Sequence, residues 1–121
     1  MIDLIQFAGE TKKAARINGH EFRYHLLDTA EELSIGTLSA PYVDTVALDK
    51  CLKTAAFALS VDTIDSQPLY DPLMERTAEE TDMAKFKRAS RLPYWWIETW
   101  FAIYAKEKDG YEEKLEEAKK K

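Results

Sequence analysis

The side chains able to do chemistry are few in this sequence. His20, His25, Cys51 and the carboxylates Asp62 and Asp65 are the candidates for metal binding, nucleophilic attack or proton transfer. In "INGHEFRYHLL" the two histidines are an odd number of residues apart. On a strand they therefore face opposite sides and cannot share one metal ion. One cysteine without CxxC or HxxxH spacing gives no zinc site. Cys51 falls on the apolar face of a helical pattern, where a cysteine is a small core residue rather than a nucleophile. Asp62 and Asp65 could be paired carboxylates, but no partner acid, base or metal ligand stands near them in sequence. They read as turn and cap residues. The four glycines are scattered and form no phosphate-binding loop. This inventory supports no enzyme, no cofactor and no metal.

A second concentration is apolar. In "RLPYWWIETWFAIYAKEK" all three tryptophans, Trp95, Trp96 and Trp100, fall within six residues. Wound at 100° per residue, Trp96, Ile97, Trp100, Phe101, Ile103 and Tyr104 share one broad half of a helix, which is core. Trp95 projects into the polar half with Glu98, Thr99, Ala102 and Lys106. It is either packed against the preceding helix or an anchor for a partner. The apolar run Tyr94 to Ala105 is twelve residues and contains Glu98, short of the roughly twenty needed to span a bilayer. Lys106 and Lys108 are matched by Glu98, Glu107 and Asp109, so the rings do not read as a base-stacking platform.

Elements that would position these residues follow from local signals. Asn18-Gly19 predicts a hairpin with Ile17 opposite His20, Arg16 opposite Glu21 and Ala15 opposite Phe22. Phe22, Tyr24 and Leu26 then share one face, and residues 2–7 offer a third strand. Thr29 with Glu32 reads as a capping box, and Gly36 as the end of that helix. A longer helix is expected from Pro41 to Ser60, its apolar face made by Leu48, Cys51, Leu52, Ala55 and Leu59. "VDTIDSQPLYDP" reads as a loop. Thr77 and Glu80 cap a helix to about Arg91 that carries Met83 and Phe86 inward. Pro93 starts the aromatic helix, which runs to about Lys108 before Asp109-Gly110 interrupts it.

These expectations add up to an α+β fold: an amino-terminal β-hairpin of two or three strands, then four or five helices, mostly helical and in a single domain. Within residues 1–121, 1–27 form the β element, 28–108 the helical core and 109–121 a charged helix or tail. A chain of 121 residues with 45% hydrophobic and 32% charged residues can bury a core. Its net charge of −5 argues against nucleic acid as the main partner. A lone cysteine fits a reducing compartment, and "MIDLIQFAGETKK" has acid where a secretory leader has base, so a cytoplasmic location is expected.

The order of features resembles the tail assembly chaperones of long-tailed bacteriophages and related small baseplate-hub assembly proteins. The likeness runs over residues 16–108. It is carried by "INGHEFRYHLLDTAEELSI", "LDKCLKTAAFALSVDTIDSQPL" and "LPYWWIETWFAIY"; Ser66 stands where a glycine is common in that group. The resemblance implies a non-enzymatic protein of the host cytoplasm. Its clients would be the helical tape-measure protein and also tail-tube or baseplate subunits, with no membrane partner and a homo-oligomer open. The candidate anchors are Trp95 with Phe57 and Val46, on the less apolar side of their helix. The alternative is a small tail or baseplate adaptor that stays in the virion.

Overall fold

The computed structural model describes residues 12–69 and 77–120. The hairpin forms as expected. Strands β1 (Lys12–Ile17) and β2 (His20–His25) are antiparallel, with Ile17 opposite His20, Arg16 opposite Glu21 and Ala15 opposite Phe22. Asn18 and Gly19 take φ of 52° and 80°, the conformation a two-residue hairpin turn needs. Phe22, Tyr24 and Leu26 are all buried. Arg16 and Glu21 oppose one another without pairing: the Glu21 carboxylate accepts from Arg23 at 2.8 Å, and Arg16 donates to the Gly19 carbonyl at 3.4 Å. The strand expected at residues 2–7 lies outside the described residues.

Helix α1 (Thr29–Ser39) starts one residue earlier than the Thr29 cap predicts. The Asp28 carboxylate accepts from Glu31 N–H at 2.8 Å, and Glu31 Oε1 accepts from Asp28 N–H at 3.1 Å. Aspartate is a stronger cap than threonine, so the earlier box wins. Gly36 does not end the helix, which continues to Ser39.

The long helix expected from Pro41 is also shorter. A 3-10 turn occupies Ala40–Tyr42, and α2 spans Leu48–Ser60. Between them the Thr45 hydroxyl donates to Tyr42 O at 2.9 Å and accepts from Ala47 N–H at 3.2 Å, local bonds that compete with helix. From Thr54 to Ser60 every residue of α2 is buried. One side packs with Leu38 as Ala55 and Leu59, and the other joins the sheet and the last helix as Ala56 and Phe57. A helix enclosed on both sides has no polar face to expose over that length.

The segment read as a loop after α2 is a second hairpin. Strand β3 (Val61–Ile64) pairs with β2, and β4 (Gln67–Pro68) pairs with β3, giving an antiparallel sheet in the order β1-β2-β3-β4. Asp65 and Ser66 make its turn with φ of 51° and 68°. Aspartate tolerates this left-handed geometry, whereas serine is strained there. The apolar face of the sheet is covered by α2 and by α4 (Tyr94–Lys120).

Helix α3 (Ala78–Ala89) begins with the expected box, Thr77 Oγ1 accepting from Glu80 N–H at 3.1 Å. Phe86 packs inward, but Met83 is exposed. Asp109-Gly110 does not interrupt α4. Glycine costs about 1 kcal/mol within a helix, and contacts on either side offset it. Lys108 pairs with Glu32 at 3.4 Å, and Tyr111 packs on the core.

Candidate functional site

Ile97, Trp100 and Tyr104 of α4 are buried, with Trp96, Phe101 and Ile103 partly so, as the helical winding predicts. The rings form a connected chain. Trp100 meets Phe57 edge-on at 5.3 Å and Tyr104 at 4.9 Å, Phe57 meets Phe22 at 5.9 Å, and Phe22 meets Trp96 at 6.1 Å. Trp95 is the outer end of this chain, edge-on to Trp96 at 5.9 Å and 52% exposed. Edge-to-face contact orients the indole while leaving much of it to solvent. Such a side chain loses little further rotamer freedom on binding.

Val46 is fully exposed, and Val43 and Tyr42 beside it are exposed as well. Lys50, in the first turn of α2, places its ammonium 5.1 Å from the centre of the Tyr94 ring at the start of α4. Val46 precedes α2, and Trp95 lies in the first turn of α4. Two of the three anchors expected from sequence, Trp95 and Val46, are thus exposed. Phe57 is not an anchor: it is fully buried between Phe22 and Trp100. The side of α2 that looked less apolar is the side the sheet and α4 cover.

The carboxylates read as turn and cap residues have partners after all. His20 Nδ1 lies 2.5 Å from Asp65 Oδ2, and Asp65 Oδ1 accepts from Glu21 N–H at 2.8 Å. These bonds hold the Asp65 carboxyl below the usual carboxylate range. The same imidazole lies 5.1 Å from the Trp96 ring. His25 is held from both sides, with Nδ1 3.1 Å from Asp62 and Nε2 2.7 Å from Glu31. Hydrogen bonds to Asp62 and then Glu31 raise its pKa to about 9, against the opposing effect of burial.

A β-bulge makes the second arrangement. Arg23 pairs with Thr63, but Tyr24 pairs with Val61, so Asp62 is the extra residue. Skipping it keeps Val61 in the core opposite Tyr24 and leaves Asp62 for His25. The signal in sequence was the β-branched density of "VDTI" ahead of a turn-forming pair, masked by the prolines that follow.

His25, Asp62 and Glu31 line an open groove of about 950 Å³ together with Tyr104, Lys108 and Tyr111. Both imidazole nitrogens are engaged, which leaves no lone pair for a base or a metal ligand. Among the described residues no group of three or more His, Cys, Asp or Glu side chains is arranged to hold a metal ion. Burial pushes the Cys51 thiol up, away from the thiolate a nucleophile needs. The clamp joins β2, β3 and α1 and is structural in its chemistry.

No helix among the described residues is long and apolar enough to cross a membrane. Comparison of the chain with protein-family models, curated proteins and solved structures finds no match.

Proposed function

We propose that this protein is a non-enzymatic assembly chaperone that shields an apolar helical stripe of a client through the exposed side chains of Trp95 and Val46. One observation carries the reading: a half-exposed tryptophan, Trp95, is seated on a fixed aromatic chain. Indole anchors of this kind dominate binding energy at protein interfaces, and an amphipathic helix offers matching apolar groups at i, i+3 and i+4. The resemblance over residues 16–108 supplies the client class, the tape-measure protein of a long phage tail. Modest affinity suits the role, because a chaperone must release its client.

Quantitative mass spectrometry of infected-cell lysate and of purified particles tests the proposal. Abundance in lysate with absence from particles is the expected result. A stoichiometric presence in particles replaces the chaperone with a permanent tail or baseplate adaptor.

A further inference from the structure

The two edges of the sheet differ. Strand β4 is two residues long and ends on Pro68, which has no N–H to offer a further strand. The other outer strand, β1, runs for six residues, and no described strand pairs with its outer side. Hydrogen bonds of its neighbour show which of its groups face outward. Glu21 N–H donates to Asp65 Oδ1 at 2.8 Å, and Glu21 O accepts from Asp65 N–H at 2.8 Å. Both main-chain groups of Glu21 therefore turn away from β1. Arg16, opposite Glu21, must then turn its own N–H and C=O away from β2, and alternation does the same for Ala14 and Lys12. All three of these residues are exposed.

The edge also carries charge. Strand β1 holds Lys12, Lys13 and Arg16 and no carboxylate. Lys13, on the face shared with Ala15 and Ile17, pairs with Glu107 at 3.7 Å. Lys12 and Arg16 stand on the other face and make no ion pair with a described residue. Carboxylates of the neighbouring strands and turn are engaged: Glu21 with Arg23, Asp62 with His25 and Asp65 with His20.

We infer that the edge of β1 takes up an extended acidic segment of a partner protein as a further antiparallel strand, with carboxylates opposite Lys12 and Arg16. Main-chain bonds to Lys12, Ala14 and Arg16 supply affinity, and the two cations select the sequence. Basic residues on an edge strand ordinarily bar further pairing. Here they bar a second copy of this chain, because β1 set against itself about a two-fold axis at Ala14 puts Lys12 opposite Arg16 twice. An acidic strand meets no such repulsion and gains charge pairs in its place. Neither Trp95 nor Val46 takes part, so this edge is independent of the client surface proposed above.

The test uses the full chain and two short synthetic peptides of alternating threonine and valine, one with glutamates at the positions opposite Lys12 and Arg16 and the other with lysines there. Fluorescence anisotropy should show the glutamate peptide binding about tenfold tighter, with the gap narrowing as salt rises. Bound peptide should slow amide hydrogen exchange at Lys12, Ala14 and Arg16 and leave Lys13, Ala15 and Ile17 unchanged. N-methylation of the peptide residues whose N–H groups face β1 should abolish binding, while N-methylation of the alternate residues should retain it. Lys12→Glu with Arg16→Glu should reverse the preference. Equal binding of both peptides overturns the acidic partner. Binding indifferent to which residues are N-methylated overturns strand addition, as does binding of neither peptide. Slow exchange at Lys12, Ala14 and Arg16 in the free chain also overturns the inference, by showing the edge already taken by residues 2–7 or by a second copy, which sedimentation tells apart.

Discussion

His25 joins three elements only while its imidazole is charged, because a neutral ring would aim a lone pair at one of its two carboxylates. Its pKa in the folded protein, about 9, lies above the ordinary value of 6.5. Folding therefore raises its proton affinity. The resulting stability is fully present below about pH 6.5, declines as pH rises, and is gone above about pH 9. The contribution at neutral pH is on the order of 2–3 kcal/mol for this mostly buried group. Urea unfolding of His25→Gln beside wild type should show a stability gap at pH 6 that narrows steadily toward pH 9. A gap independent of pH would mean that packing, not charge, holds the clamp. At Trp100 packing does decide: Trp100→Ala should cost about 3–5 kcal/mol, since the ring is fully buried among Phe57, Tyr24 and Tyr104. Trp95→Ala should cost less than about 1 kcal/mol, and equal losses in thermal melts would refute the division between core and surface.

Two elements carry predictions of their own. The β3–β4 turn places Ser66 at φ 68°, where glycine has no steric cost, so Ser66→Gly should stabilise by roughly 1 kcal/mol and raise Tm by several degrees. Gly110 lies inside α4, and a Cβ added there meets nothing within 4 Å. Gly110→Ala should therefore stabilise by about 0.5–1 kcal/mol in the same melts; a loss would show that the helix breaks at this point. These elements also mark how far the fold was legible. Asn18-Gly19 announced its hairpin and register because the turn chemistry is local, and the aromatic helix showed its buried half through periodicity alone. The second hairpin did not show, because an Asp-Ser turn and two prolines read as loop until a neighbouring strand supplies the pairing. Phe57 was misplaced for a related reason: nothing in one helix tells how many of its sides will be covered. Of the candidate site, Trp95 reads as either packed on the preceding helix or an anchor, and Val46 as an anchor on a helix; both are exposed, Val46 ahead of α2 rather than on it. The His25 clamp was not legible, since Asp62 reaches it through a bulge that depends on register between strands remote in sequence.

At the scale of the molecule, the sheet and helices hold one aromatic core and bring Trp95 to its margin. The buried chain from Trp96 through Phe22 and Phe57 to Trp100 fixes the surface from below. The groove at His25 lies elsewhere in the fold and carries the carboxylates Asp28, Glu31, Glu32, Asp62 and Glu112 along with Lys12, Lys108 and His25. This arrangement suits the proposed role, since a half-exposed tryptophan held in place by buried rings is ready to meet a partner. The decisive measurement is co-expression with a tape-measure protein from the same genome, followed by affinity purification of wild type and Trp95→Ala at matched thermal stability. The account predicts that wild type keeps the tape-measure protein soluble and co-purifies with it, and that Trp95→Ala does so at least several-fold less. Undiminished co-purification with Trp95→Ala, or none with wild type, would contradict it.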